Sequence, residues 1–103
     1  MSKVIFQTEI IELGEQVDAF FEEGMFVLFG ENAPDALKDF CYFIDTKDVD
    51  GTIKPGNKLV IDNNEFLITA VGDIAQPNLE ALGHLTVVIS GAKEAGLPGS
   101  ICV

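Results

Sequence analysis

The chain has no arginine, no tryptophan and a single histidine, His84. Six lysines stand against seventeen acidic residues, for a formal net charge of −11 over 103 residues. Binding to nucleic acid depends on cationic side chains that displace phosphate counterions, so this balance excludes nucleic acid as a partner. Anionic membrane surfaces are disfavoured for the same reason. The two cysteines, Cys41 and Cys102, lie in apolar runs and in no Cys-x-x-Cys or other metal spacing, so neither a metal nor a cofactor is expected. No uncharged run approaches the roughly 18 residues of a transmembrane helix, which argues against direct membrane insertion. The N-terminal segment reaches polar residues too early for a signal peptide. With its thiols expected to be buried and reduced, the chain reads as cytoplasmic. It has no Gly-rich phosphate loop, and neither acidic pair, Glu22/Glu23 or Asp48/Asp50, falls in an EF-hand spacing.

What is present is apolar mass. Hydrophobic residues make up 48% of the chain, and eight phenylalanines supply most of the large side chains. Phe20, Phe21, Phe26, Phe29, Phe40, Phe43 and Phe66 are expected in the core or at interfaces. A chain of this length buries about 65% of its unfolded surface, enough for a core without staples. It reads as one domain, residues 1–103. The acidity points to protein partners with basic faces, where opposite potentials speed encounter.

Short β-branched and aromatic runs between turn signals predict strands at residues 3–12, 25–29, 41–44, 58–62, 65–71, 84–89 and 100–103. Asn63-Asn64 marks a hairpin turn between Asp62 and Glu65, because Asn tolerates the left-handed conformation that such turns need. Val17, Phe20 and Phe21 fall at helical spacing, with Gly24 as a stop. Pro34 and Pro77 open two short helices, at residues 34–39 and 77–82, and Gly83 ends the second. The expected fold is all-β: a small barrel-like or buckled closed sheet of short strands with two short helices.

From about Ile5 to Val103 the chain resembles the glucitol/sorbitol-specific enzyme IIA family of the phosphoenolpyruvate-dependent sugar phosphotransferase system. The segments that carry the resemblance are Phe6-Gln7-Thr8, Phe29-Gly30-Glu31-Asn32-Ala33-Pro34, Asp39-Phe40-Cys41, Lys54-Pro55-Gly56, Thr69-Ala70-Val71-Gly72, Asn78-Leu79-Glu80-Ala81-Leu82-Gly83-His84-Leu85-Thr86 and Leu97-Pro98-Gly99. Each piece is short; their order and spacing along the whole chain make the match specific. The resemblance implies a small β domain with a buckled sheet. It also implies a phosphocarrier that takes a phosphoryl group from an HPr-like carrier and passes it to the enzyme IIB and IIC components during sorbitol uptake.

In that family the acceptor histidine closely follows a Phe-Cys-aromatic run. Here the run is Phe40-Cys41-Tyr42-Phe43-Ile44-Asp45, and no histidine follows it. A gapless alignment puts Ile44 at the acceptor position, and moving the gap by one puts Asp45 there. Thr46 stands near a second position that can also be His in the family. Ile44 cannot carry phosphate. Asp45 would need a metal and a cationic neighbour to form an acyl phosphate, and Lys47 is the nearby lysine, so the segment is expected to be inactive. His84 matches the family in its Leu-Gly-His segment and is the candidate catalytic residue by elimination. A neutral imidazole nitrogen is a good nucleophile near pH 7. Two readings of His84 stay open: a hydrogen-bonded residue at a helix-to-strand corner, or a ring exposed for transfer. A lone histidine is more often a satisfied polar residue, which favours the first. The alternative to a phosphocarrier is therefore a non-phosphorylatable IIA-like binding or regulatory protein.

Overall fold

The structure is a computed structural model that describes residues 4–30, 33–47, 49–61 and 63–103. In chain order the elements are β1 (Ile10–Leu13), α1 (Val17–Phe21), β2 (Met25–Phe29), a 3-10 turn (Lys38–Phe40), β3 (Cys41–Ile44), β4 (Lys58–Ile61), β5 (Asn64–Leu67), β6 (Ala70–Val71), α2 (Ala75–Leu82), β7 (Leu85–Val88) and β8 (Ser100–Cys102). Six strands form one sheet in the order β1-β3-β2-β7-β8-β6, and β4 and β5 pair as a separate hairpin. The mainly-β expectation holds. The sheet is open, however: its edges are β1 and β6, which do not pair with each other.

The middle of the sheet is β2, which runs parallel to β3 and antiparallel to β7. Its sequence, Met25-Phe26-Val27-Leu28-Phe29, is apolar throughout because both of its faces are covered, the pattern of a fully interior strand. On one face Phe26 joins a buried cluster of Ile44, Ile68, Ala75, Leu79, Leu85, Val87 and Ile101. Ala75 and Leu79, four residues apart, form the stripe by which α2 covers this face. On the other face Val27 and Phe29 pack with Ala33 and Cys41. The β2/β3 register sets Val27 beside Cys41 and Phe29 beside Phe43. Both cysteines are buried free thiols.

Several elements differ from the sequence reading. Of the strand expected at 3–12, the described residues form a ladder only over Ile10–Leu13, all four exposed at the sheet edge. Before it, the chain makes single contacts, such as Ile5 accepting from the Asp50 N–H at 2.6 Å. The helix expected at 34–39 is a turn followed by the 3-10 turn. Leu37 N–H donates to Pro34 and Phe40 N–H to Leu37, three residues back, in a segment too short to nucleate an α-helix. The helix expected at 77–82 begins at Ala75, and Pro77 sits third, where an N–H still has no helical acceptor. The hairpin is present, shifted by one residue: Ile61 pairs with Asn64, and Asn63 takes the positive φ of 72°. The structure of Asp62, which that turn contains, lies outside the described residues, as do Glu31, Asn32 and Asp48. The strand expected at 65–71 breaks after Leu67, so that Ile68 turns into the core and Thr69 N–H meets Cys102. Phe21 is exposed rather than interior, and the placement of the Phe20 side chain is outside the described residues.

Burial pushes the Cys41 thiol above its ordinary range, and burial followed by the Asp18 charge does the same to Tyr42. Both groups therefore hold their protons more tightly in the folded chain. Above the ordinary thiol range the unfolded chain binds fewer protons than the folded one, so stability present at neutral pH is lost as pH rises. Urea unfolding across a pH series should show a falling unfolding free energy on the alkaline side, and Cys41→Ala should flatten the earlier part of that fall.

Candidate functional site

The site is a rim where three chain segments meet: the exit of β2, the exit of β3, and the corner between α2 and β7. Parallel β2 and β3 bring their C-terminal ends to the same side of the sheet, and antiparallel β7 starts there. His84 is the corner residue, immediately before β7. At the corner Gly83 caps α2 in the left-handed conformation with φ 69°. Its N–H donates to Leu79 at 3.0 Å, and the His84 N–H donates to Asn78 at 3.3 Å. The backbone of His84 is thus part of the helix cap.

The ring is positioned by β2. Leu28 pairs with Leu85, so the same register carries Phe29 opposite His84. The rings stack with centroids 4.4 Å apart at 28°. Phe29 is buried beneath, at 5% exposure, while His84 is half-buried. Nδ1 lies 3.4 Å from the Leu28 carbonyl oxygen. In the tautomer with the proton on Nδ1, that nitrogen donates to Leu28 and Nε2 keeps its lone pair. Nε2 has no hydrogen bond among the described residues, and no buried side-chain nitrogen or oxygen there is left without one, so Nε2 reaches the surface.

The Phe-Cys segment ends on this same rim. Ile44 is 1% exposed and belongs to the core cluster under α2, so its side chain points away from any partner. Asp45 is half-buried, and its backbone carbonyl accepts from the Thr8 hydroxyl at 2.9 Å. Among the described residues Asp45 has no ion pair, and no group of three or more His, Cys, Asp or Glu is gathered to hold a metal. Thr46 is exposed, and its hydroxyl packs against Gly30 and Gly83. A Cβ built on Gly83 would lie 2.9 Å from the Gly30 nitrogen and 3.0 Å from Thr46 Oγ1. A shallow cleft of about 370 Å³, bordered by Pro55, Asp73, Lys93 and Pro98, takes none of its lining from the rim residues.

Residues 5–103 match the family model described as the PTS system glucitol/sorbitol-specific IIA component. The chain belongs to this family. Similar proteins are the PTS system glucitol/sorbitol-specific EIIA components of Shigella flexneri and of Escherichia coli (strain K12). Each is 33% identical over 100 residues, covering 97% of this chain and 81% of the relative. A crystal structure of a PTS system IIA component from Enterococcus faecalis V583 superposes with a TM-score of 0.77 at 28% identity, covering 94% of this chain and 84% of that one. No helix among the described residues of this IIA component is long and apolar enough to cross a membrane.

The sequence reading singled out His84, Ile44, Asp45 and Thr46. The fold brings the exit carrying Thr46 up to the glycine next to His84 and sends Ile44 into the core. It missed three parts of the site: the stacking role of Phe29, the Leu28 carbonyl, and the contact between Gly30 and Gly83. The sequence signal was the pair of glycines flanking Phe29 and His84, each next to an aromatic ring. The corner should be sensitive to a side chain at Gly83. Gly83→Ala places a Cβ at a positive φ and against the Gly30 backbone, and should cost about 1–3 kcal/mol in urea unfolding.

Proposed function

We propose that this IIA component is a phosphocarrier whose acceptor is His84 Nε2. In this reading it takes a phosphoryl group from an HPr-like carrier and delivers it to the enzyme IIB and IIC components in the cytoplasm during sugar uptake. The observation that carries the proposal is the ring itself: Nε2 reaches the surface with no hydrogen bond among the described residues, while Nδ1 lies 3.4 Å from the Leu28 carbonyl oxygen. In-line transfer needs an open ring nitrogen that donor and acceptor can approach in turn.

In the transfer, Nε2 attacks the phosphorus of the donor phosphohistidine and its lone pair becomes the new N–P bond. The donor's N–P bond breaks and its electron pair returns to the donor ring. The proton stays on Nδ1, where Leu28 accepts its hydrogen bond. The stack on Phe29 holds the ring plane during the exchange. Because the transition state is loose, positioning and charge stabilisation account for most of the catalysis.

A second reading rests on Ile44. A core side chain, 1% exposed, occupies the gapless acceptor position. In that reading the protein docks on phosphotransferase or regulatory partners and transfers nothing.

One experiment separates the two. The protein is incubated with phosphoenolpyruvate, enzyme I and HPr, and its intact mass is measured. The phosphocarrier gains one phosphoryl group, in an acid-labile and base-stable linkage, and His84→Ala gains none. An unchanged wild-type mass, or labelling that survives in His84→Ala, removes His84 from this role. Independently, the charge of −11 predicts that association with a basic-faced carrier slows as salt rises, which stopped-flow measurements at increasing ionic strength would show.

A further inference from the structure

We infer that the free edge of β1 is a docking site for an extended, lysine- or arginine-rich segment of a partner protein, which adds to the sheet as a further strand. The inference does not depend on whether His84 carries phosphate. β1 pairs with β3 on one side and, among the described residues, with nothing on the other. Its outer backbone N–H and C=O groups are therefore open to a new strand. Its side chains are apolar where an outer strand is usually polar: Ile10, Ile11 and Leu13 are 48%, 50% and 57% exposed.

The register shows how these side chains are presented. Ile10 pairs with Ile44, Glu12 with Phe43 and Leu13 with Tyr42, with an irregularity between Ile10 and Glu12. Residues paired across a ladder share a face of the sheet. Ile10 and Leu13 thus stand on the face of Ile44 and Tyr42, and the irregularity puts them there together. Ile44 belongs to the main core cluster and Tyr42 packs against it, so an added strand continues an apolar face that already exists. Glu12 stands on the opposite face, with Phe43.

Charge selects the occupant. No lysine or arginine occurs between Lys3 and Lys38, while Glu9, Glu12 and Glu15 follow one another along this edge, all exposed. Among the described residues none of the three has an ion pair. Lys38, whose carbonyl lies against Gly14, is engaged by Asp35 at 2.9 Å. A second copy pairing through the same edge would set glutamate against glutamate, which destabilises a ladder. A segment with cations beside the glutamates and aliphatic residues beside Ile10 and Leu13 meets both requirements. The carboxylates thus oppose self-pairing and favour a cationic strand.

The probe is a capped synthetic peptide of alternating lysine and valine, added to the 15N-labelled protein. One control peptide carries glutamate for each lysine. The other carries proline for each valine, which keeps the charge and prevents strand pairing. The lysine–valine peptide should shift the backbone amide resonances of β1, slow their hydrogen exchange and bind more weakly as salt rises. Glu9→Lys/Glu12→Lys should weaken binding about tenfold or more. Asp73→Lys/Glu94→Lys makes the same charge change at the shallow cleft and should leave binding within about twofold. All four side chains are exposed, urea midpoints check that both variants fold, and the peptide controls apply to the unaltered protein as well. Equal loss in the two variants, equal binding of the proline peptide, shifts confined to other elements, or no binding at millimolar peptide overturns the proposal. Sedimentation of the protein alone should show a monomer. A dimer that Ile11→Lys dissociates makes a second copy the occupant and overturns it too.

Discussion

One backbone hydrogen bond joins the two halves of the rim: the Gly30 N–H donates to the Leu82 carbonyl oxygen at 2.9 Å. Leu82 is the last residue of α2, and its carbonyl has no partner within the helix. Gly30 is the first residue past β2. Their union ties the helix end to the central strand and continues the β2/β7 register into the corner. The missing side chains of Gly30 and Gly83 allow the approach. The ring stack, the seating of the Thr46 hydroxyl and the surface position of Nε2 all follow from it.

The rest of the fold keeps that corner in place. β2 is covered on both faces, by α2 through Ala75 and Leu79 and by the Ala33–Cys41 cluster, so the strand under His84 has little freedom to shift. Parallel crossovers from β2 to β3 and from β7 to β8 return the chain to the same end of the sheet twice. The acidity is not a feature of the core. It lies on the surface, where it bears on which proteins approach and how fast, not on how the strands pair.

Much of the architecture was legible because it depends on neighbours in sequence. Met25–Phe29 and Cys41–Ile44 match the reading residue for residue, since a short apolar run between turn signals has few other uses. Gly83 as a helix end follows from its backbone freedom alone. Two of the failures share a cause. The break after Leu67 and the short β1 were decided by hydrogen-bond partners that are distant in sequence, Cys102 for Thr69 and Cys41 for Gly14, whereas the 3-10 turn at Lys38–Phe40 follows from a segment too short to nucleate an α-helix. An open sheet and a closed one present the same alternating patterns to a reader of the sequence.

The same division applies to the site. That His84 is the only imidazole, that Ile44 cannot hold phosphate and that no arginine is present were settled by residue identity, because chemistry of that kind travels with the side chain. Whether His84 is closed in or open was decided by tertiary structure. It depends on a register between β2 and β7, strands that lie nearly sixty residues apart in the chain, with Leu28 set against Leu85. That register places Phe29 beneath the ring, a carbonyl at Nδ1 and solvent at Nε2. Register is set by the packing of both faces at once, and no local stretch of sequence contains that information.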